Sequence, residues 1–258
     1  MSNVILKVEN LEKAFGGLKI LQGVSFDVKK GQRLALIGPN GAGKSTLLNA
    51  IGGQGIATGG KILFEGKNIT KMSPNQRLHR GIGRSFQVNN LFWQHNILNN
   101  LMLSIYGSDS NRMRIFSKLE KRKDIKEKAE HFLNEVDLWK YRYDFPSSLS
   151  YGEQRMLEVA IAFAAGPKMV LLDEPSAGLP TAEVESFTKT LESLAKDTTL
   201  LFCAHDMDLV FKLADEIMVL YFCQIIAKGE KKEIANNPKV QEIYLGTAEN
   251  TYDDVVRG

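Results

Sequence analysis

Cysteine and histidine are scarce in this 258-residue sequence, which contains Cys203, Cys223 and four histidines. None of them is spaced like a cluster of metal ligands, so the sequence offers no zinc site. We expect both cysteines to be small, buried hydrophobic residues.

Long apolar segments are also absent, because no run approaches the roughly 20 residues that cross a bilayer. The N-terminus lacks the layout of a signal peptide. We therefore expect a cytosolic chain that reaches a membrane only through a partner. The net charge of +3 is too small to indicate nucleic-acid binding.

The composition is typical of a soluble globular protein, with 43% hydrophobic and 24% charged residues. The opening segments alternate as strands do at residues 4–8, 24–28 and 33–37. A helical pattern follows Lys44, and residues 61–64 and 68–69 flank a predicted three-residue hairpin turn. These features predict an N-terminal antiparallel β subdomain.

From about residue 91 to 138 the strand patterns vanish. Apolar residues there recur at helical spacing, namely Ile125, Ala129, Phe132, Leu133 and Val136. We interpret this region as a helical subdomain, about residues 88–160, inserted into an α/β domain. Beyond it, predicted helices at 153–165, 182–195 and 207–214 alternate with predicted strands at 169–172, 200–204 and 216–220. Such alternation predicts a parallel sheet covered on both faces.

The strongest chemical signal is GPNGAGKST, residues 38–46, which fits the phosphate-loop pattern between a strand and a helix. Its glycines let the backbone wrap around phosphates, and amide N–H groups at a helix N-terminus bind negative charge. Lys44 would reach the β- and γ-phosphates, and Ser45 would ligate Mg²⁺. The predicted nucleotide-binding residues of the loop are Gly38, Pro39, Asn40, Gly41, Ala42, Gly43, Lys44, Ser45 and Thr46.

Two further segments carry chemistry. In MVLLDEP an apolar strand ends in Asp173, suited to the Mg²⁺ shell, and Glu174, suited to act as a general base. In LSYGEQ, Ser150 precedes a helix whose N-terminus would bind an anion. Ser150 and Glu153 also fit a capping box, and both roles are compatible.

The set and order of these motifs resemble the ABC-transporter ATPase family over about residues 4–246. GPNGAGKST matches its phosphate loop, LSYGE its LSGGQ signature, VLLDE its Walker B strand and SAGLP its D-loop. The resemblance implies an α/β P-loop NTPase fold, with one ATPase domain at residues 1–246 and a polar tail at 247–258.

The resemblance also assigns roles. Gln87 would complete the Mg²⁺ shell and sense a membrane partner, His205 would contact the γ-phosphate, and Phe15 would stack on adenine. Lys44, Glu174 and His205 then form the catalytic set, and Ser45, Gln87 and Asp173 the Mg²⁺ set. The signature residues acting on a second chain's nucleotide would be Ser150, Tyr151, Gly152 and Glu153.

The implied cofactors are ATP and Mg²⁺, and the implied partners are a second ATPase subunit, identical or different, and two membrane-spanning permease subunits. A solute-binding protein would take part indirectly, and no nucleic acid is implied. The chain would lie peripherally at the cytoplasmic face of the inner membrane, with residues 91–101 helping to form the docking groove.

Within the family, SYG, EPSAGL and NNPKVQEIYLG resemble the branched-chain amino acid importers. SYG and an extended helical region at residues 107–135 resemble the longer of the two ATPase subunits of such importers. Importers of urea or other small polar solutes share these features. ABC ATPases that act on ribosomes or DNA usually fuse two ATPase units or carry zinc sites or long coiled coils, which this sequence lacks. A monomeric kinase would not explain LSYGEQ or His205.

Three positions depart from the family pattern. Glu153 replaces a glutamine of the signature, and Pro180 replaces an Asp or Asn of the D-loop that would hydrogen-bond across a dimer. Cys223 replaces a glycine, which would carry a conformational cost if the turn requires positive φ.

Overall fold

The computed structural model describes residues 3–85, 91–108 and 122–243. Its strands are β1 (Val4–Phe15), β2 (Leu18–Lys29), β3 (Arg33–Ile37), β4 (Gly59–Phe64), β5 (Lys67–Asn68), β6 (Ile82–Arg84), β7 (Met169–Asp173), β8 (Thr199–Cys203), β9 (Glu216–Tyr221) and β10 (Gln224–Glu230). Its helices are α1 (Lys44–Gly52), α2 (Pro74–His79), α3 (Ile97–Ser108), α4 (Lys123–Glu135), α5 (Tyr151–Ala164), α6 (Thr181–Leu194), α7 (Met207–Leu213) and α8 (Lys231–Ala235), with 3₁₀ turns at Trp139–Tyr141 and Pro146–Ser148. Across these ranges no helix has the length and apolar character needed to span a membrane.

A four-stranded antiparallel sheet, ordered β2-β1-β4-β5, confirms the predicted N-terminal β subdomain. Its first two strands are longer than predicted because an irregularity interrupts their alternation. The pairing of β1 with β2 shifts between Val8 and Leu11, where Asn10 has a φ of 45° and donates its N–H to Ser25 Oγ at 2.7 Å. A bulge of this kind breaks the period-two pattern while pairing continues on both sides.

The hairpin between β4 and β5 turns at Glu65 and Gly66, both with positive φ. Lys67 already pairs with Phe64, so the predicted three-residue turn is one residue too long. Two residues at positive φ match the right-handed twist of the flanking strands, which is why such tight turns are favoured.

The second sheet has six strands in the order β10-β9-β3-β8-β7-β6. All strands from β9 to β6 are parallel, which confirms the predicted core sheet. The antiparallel edge strand β10 is not predicted, because its apolar residues are consecutive at 225–227 and do not alternate with polar ones, and none of its residues is fully buried. The three-residue β6 is too short to give a pattern.

Phe222 and Cys223 form the two-residue turn between β9 and β10. Their φ values are 42° and 66°, in the left-handed region that costs an ordinary residue about 1–2 kcal/mol. Cys223 therefore replaces glycine at a position of positive φ and carries the expected cost. The prediction of burial is confirmed for Cys203 and wrong for Cys223, which is only partly buried at the turn.

Both faces of the parallel sheet are buried. Alternate residues of a strand face opposite ways, so in β7 Val170 and Leu172 pack on the side of helices α3 to α7. Met169 and Leu171 of the same strand pack on the side of α1 and the antiparallel sheet. The parallel sheet thus lies between two hydrophobic cores and contributes side chains to both.

The predicted helical region contains α3, α4 and α5, which contact one another. Ile125, Ala129 and Leu133 form the buried side of α4, in agreement with their helical spacing. Because β3, β7 and β8 are parallel, the loops after them meet at one edge of the sheet. That edge brings together the phosphate-loop segment, Asp173 with Glu174, and His205.

Candidate nucleotide-binding and catalytic site

The loop after β3 wraps tightly enough to require glycine at two positions. Gly38 has a φ of 151°, and a Cβ atom there would lie 2.1 Å from the carbonyl oxygen of Leu220. Gly43 has a φ of 102°, and its Cβ would lie 2.7 Å from the carbonyl oxygen of Ile20. The loop is therefore pressed against β2 and β9, and it leads directly into the N-terminus of α1, where backbone N–H groups favour an anion.

Lys44 is folded onto its own loop. Its Nζ donates to the carbonyl oxygens of Gly38 at 2.7 Å and Pro39 at 3.1 Å. Burial lowers the pKa of this ammonium, and the nearby charges of Glu174 and Asp173 oppose the shift. A nucleotide phosphate would replace neutral carbonyl partners with charged oxygens, which form stronger hydrogen bonds with an ammonium.

Ser45 and Asp173 offer two oxygens suited to Mg²⁺. Ser45 Oγ donates to Asp173 Oδ1 across 3.2 Å, close to the ~2.9 Å between neighbouring oxygens of an octahedral Mg²⁺ with bonds of about 2.0–2.1 Å. Within the described ranges no cluster of three or more His, Cys, Asp or Glu side chains is placed to hold a metal. A hydroxyl, a carboxylate and phosphate oxygens form the ligand set that Mg²⁺ prefers, so the residues present fit that ion.

Two arginines that the motifs do not identify hold the other end of α1. Arg77 Nη1 donates to the carbonyl oxygens of Ala50 and Ile51, and burial lowers the pKa of Arg77 to about 10. Arg84 donates to the carbonyl oxygen of Leu48 at 2.7 Å. Cations at a helix C-terminus complement its dipole, so the two arginines hold the C-terminal end of α1 in place. Among the residues that the structure describes, no side chain caps the N-terminus of α1, which leaves its N–H groups available to a phosphate.

Glu174 and His205 form a contact that the sequence does not predict. The Glu174 Oε1 and His205 Nε2 atoms are 2.9 Å apart, and both side chains remain partly exposed. Glu174 has a φ of 49°, and its N–H donates to the carbonyl oxygen of Cys203 at 3.0 Å. Asp206, the next residue after His205, caps α7 by accepting from two of its N–H groups. Two of the three predicted catalytic side chains, Glu174 and His205, thus lie together, each beside a hydrogen-bonded backbone segment.

A cavity of about 590 Å³ lies beside this pair. Glu174 and His205 contribute to its wall, together with residues of α6, α7 and the loop before α6. A partly exposed carboxylate and an imidazole at such a cavity can hold a water molecule and accept its proton, which is the chemistry expected of a general base.

The signature segment has the predicted capping box. Ser150 Oγ accepts from the N–H of Glu153 at 3.3 Å, and Glu153 Oε2 accepts from the N–H of Ser150 at 2.9 Å. This reciprocal bond needs only an acceptor on the side chain, so the Glu153 departure preserves it. Tyr151 adds a contact that is not predicted, since its hydroxyl donates to the carbonyl oxygen of Ala177 at 3.0 Å.

The signature and the catalytic pair open to different cavities of the chain. Ser150, Gly152 and Glu153 line a second cavity of about 370 Å³, whereas Glu174 and His205 line the first.

Two predicted site residues fall outside this description. Gln87 lies outside the described residues, and of Phe15 only the backbone, paired with Leu18 at the end of β1, is described.

Asp173 gives the site a testable dependence on pH. The residue is 1% exposed, and burial raises the pKa of its carboxyl against the opposing effects of Ser45, Arg84 and Lys44. A carboxyl whose pKa is raised on folding stabilises the chain at low pH and loses that contribution as pH rises through its folded pKa. We therefore expect Asp173→Asn to stabilise the nucleotide-free chain at neutral pH.

Thermal unfolding between about pH 4 and pH 8 checks this expectation, since 1 kcal/mol corresponds to about 2–4 °C in a chain of this size. The stability gain should shrink in acid, where the parent carboxyl is protonated. Exposed Asp197→Asn serves as the control. A loss of stability in Asp173→Asn at neutral pH would contradict the argument.

The comparisons with known proteins agree with this geometry. Residues 21–177 match the family described as ABC transporter. A probable branched-chain amino acid transport ATP-binding protein, LivG of Methanocaldococcus jannaschii, is 39% identical over 94% of this chain and 97% of its own. A high-affinity branched-chain amino acid transport ATP-binding protein, BraF of Pseudomonas aeruginosa, is 34% identical over 96% of this chain and 100% of its own.

Solved structures give the same result. A nucleotide-free ATP-binding cassette from an ABC transporter superposes with a TM-score of 0.82 at 36% identity, covering 93% of this chain and 98% of that one. An ADP-bound cassette has the same TM-score and identity, covering 94% and 99%. The phosphate loop, the Walker B carboxylates and these likenesses show that the chain belongs to the ABC-transporter family, as an ATP-hydrolysing cassette homologous to LivG and BraF.

Proposed function

We propose that this chain is one of two ATPase subunits that power import of branched-chain or related amino acids through separate permease subunits. The observation that carries the ATPase assignment is the single sheet edge shared by Lys44, the Ser45–Asp173 pair and the Glu174–His205 pair. The solute class is supported by the nearly full-length likeness to branched-chain amino acid transport ATP-binding proteins.

The chemistry follows from the arrangement at that edge. Backbone N–H groups of residues 38–46 and Lys44 would bind the phosphates, and Ser45 and Asp173, with Gln87, would hold Mg²⁺. When bound, Mg²⁺ would neutralise charge on the β- and γ-phosphates. Glu174 would take the proton of the attacking water, and His205, 2.9 Å from its carboxylate, would orient it and contact the γ-phosphate.

The signature would act on the nucleotide of a second chain. Ser150, Gly152 and Glu153 face a cavity other than the one beside Glu174, which supports a site completed by a partner. ATP would close two such chains because it binds the closed state better than the open one. The partner would be a second copy or a related ATPase, and Phe15 would stack on the adenine.

An exposed aromatic surface supports docking to a permease. It consists of Phe92, Trp93, Tyr143 and Phe145, exposed by 54%, 43%, 61% and 51%. Backbone bonds from Ile97 and Leu98 to residues 144 and 142 tie its two segments together. Buried Asn100 fixes the first segment through the N–H and carbonyl of Phe92. Large apolar patches with a rigid base are typical of protein interfaces.

The domain limits follow from this assignment. Residues 1–246 would form a single ATPase domain, with the helical subdomain at about 88–160 and a polar tail at 247–258. The subunit would sit at the cytoplasmic face of the inner membrane, held there by the permease subunits, and the solute-binding protein would act on them from the other side.

The test is to purify the tagged chain from solubilised membranes and identify what remains bound. Two hydrophobic subunits and an ATPase are expected. In liposomes that enclose ATP with the ATPase, and with the solute-binding protein added outside, the complex should take up labelled leucine in preference to urea. Phe145→Glu should release the permease while ATP binding persists. Phe211→Glu alters an exposed aromatic outside the surface and should leave the complex intact. Recovery of ribosomal proteins or DNA in place of permease subunits would overturn the proposal.

A further inference from the structure

One face of α5 contacts the backbone that carries the catalytic residues. Tyr151, Arg155 and Glu158 are spaced by four and three residues, which places them on the same side of the helix. The Tyr151 hydroxyl bonds to the carbonyl of Ala177 at 3.0 Å. Arg155 contacts the backbone of residues 173–175, which come just before Ala177. Helix α5 therefore contacts both the beginning and the end of the turn after β7.

Arg155 donates to three successive carbonyl oxygens. Its Nη2 lies 3.4 Å from the oxygen of Asp173 and 2.8 Å from that of Glu174, and its Nε lies 3.2 Å from that of Pro175. Only the planar fork of a guanidinium supplies donors in this arrangement. The contacts therefore depend on arginine and not on positive charge alone.

Glu158 fixes the guanidinium from the other side. Its Oε2 accepts from Arg155 Nη1 at 2.7 Å, and both side chains are 6% exposed. Removing one partner of a buried ion pair strongly destabilises the fold, because the other charge is left buried without compensation. The position of Arg155 is thus set by α5 itself.

The residue in the centre of these contacts has an unusual backbone. Glu174 has a φ of 49°, and such conformations persist only where the surroundings hold them. Here the N–H of Glu174 donates to Cys203 and its carbonyl accepts from Arg155. The peptide groups on both sides of the Glu174 Cα are therefore fixed, and with them the direction in which its side chain leaves the backbone. The carboxylate at the end of that side chain contacts His205.

We propose that Arg155 is a positioning residue that holds Glu174 in its catalytic conformation, anchored by Glu158 on the signature helix. The inference rests on the proposed role of Glu174 as the general base. Ser150 caps the N-terminus of the same helix. A movement of the signature relative to a partner's nucleotide would therefore also move Arg155, and with it the backbone of Glu174 in the same chain.

The test compares Arg155→Lys, Arg155→Met and Glu158→Gln with the parent. A misplacement of about 1 Å can cost roughly 100-fold in rate, so kcat should fall by about that factor in Arg155→Met and less in Arg155→Lys and Glu158→Gln. The KM for ATP and the affinity for ATP without Mg²⁺ should change less than about threefold. Arg33→Lys is the control for the loss of an arginine elsewhere in the chain. The Arg33 guanidinium bonds to Asp215, far from the turn after β7.

The decisive measurement repeats Arg155→Lys in a Glu174→Gln background. If Arg155 acts through the carboxylate, it should not lower the residual single-turnover rate further, and ATP retention should equal that of Glu174→Gln alone, because the effects of residues acting as a unit are not additive. An equal loss of rate in both backgrounds, or a loss of ATP binding in Arg155→Lys, would overturn the proposal. A parental rate in Glu174→Gln alone would instead refute the assignment of the general base.

Discussion

Glu174→Gln should stop steady-state ATP turnover while ATP binding is retained. The carboxylate is expected to position a water molecule and take its proton, a role worth about 10²–10⁴-fold in rate. Glutamine keeps the shape, and its amide oxygen can still accept from His205 Nε2, 2.9 Å away in the parent. The substitution therefore removes the base with little change to the geometry around it.

ATP hydrolysis and equilibrium ATP titration measure the two effects separately. ATP-bound dimers should accumulate in the variant and elute earlier on gel filtration. Glu185→Gln is a matched control, because Glu185 lines the same cavity as Glu174 but pairs with Lys189 on the surface of α6. Hydrolysis near the parental rate in Glu174→Gln would remove Glu174 from the catalytic set.

Mixing two variants that cannot retain ATP should restore one ATP-retaining site. In the proposed sandwich, Lys44 of one chain and Ser150 of another contact the same ATP, so each residue serves a different site of the dimer. Lys44→Ala removes the charge that binds the phosphates. Ser150→Arg blocks the approach of the α5 N-terminus and also removes its cap, at a cost of about 1 kcal/mol, which a folded domain tolerates.

The mixture should contain dimers with one doubly altered site and one unaltered site. In a Glu174→Gln background these dimers should retain labelled ATP after rapid desalting, although neither variant does so alone. If the chain pairs with a different ATPase, each change should instead disable one of two sites. Self-association without restored retention would mean that each site is formed within one chain.

The sequence predicts which motifs meet at the sheet edge, because each motif is carried by residues close together in the chain. The phosphate-loop residues are consecutive at 38–46, and Asp173 and Glu174 lie at the end of an apolar strand. The Ser150–Glu153 capping box is local in the same sense. A parallel sheet then places these separate motifs at one edge without further information.

Other features depend on contacts between distant segments and leave no local pattern. Arg155 looks like one more charged residue of an amphipathic helix, yet it is buried against the turn after β7. Arg77 and Arg84 fix the end of α1 from outside the phosphate-loop motif. The bulge at Asn10 conceals the true length of β1, because the sequence shows only a broken alternation.

The parallel sheet between the two cores affects how the chain unfolds. Because each central strand contributes alternate side chains to both cores, loss of one strand would expose apolar surface on both sides at once. Neither core can therefore melt and leave the other intact. We therefore expect the antiparallel sheet and the helices on the opposite side to unfold together, because both depend on the same central strands.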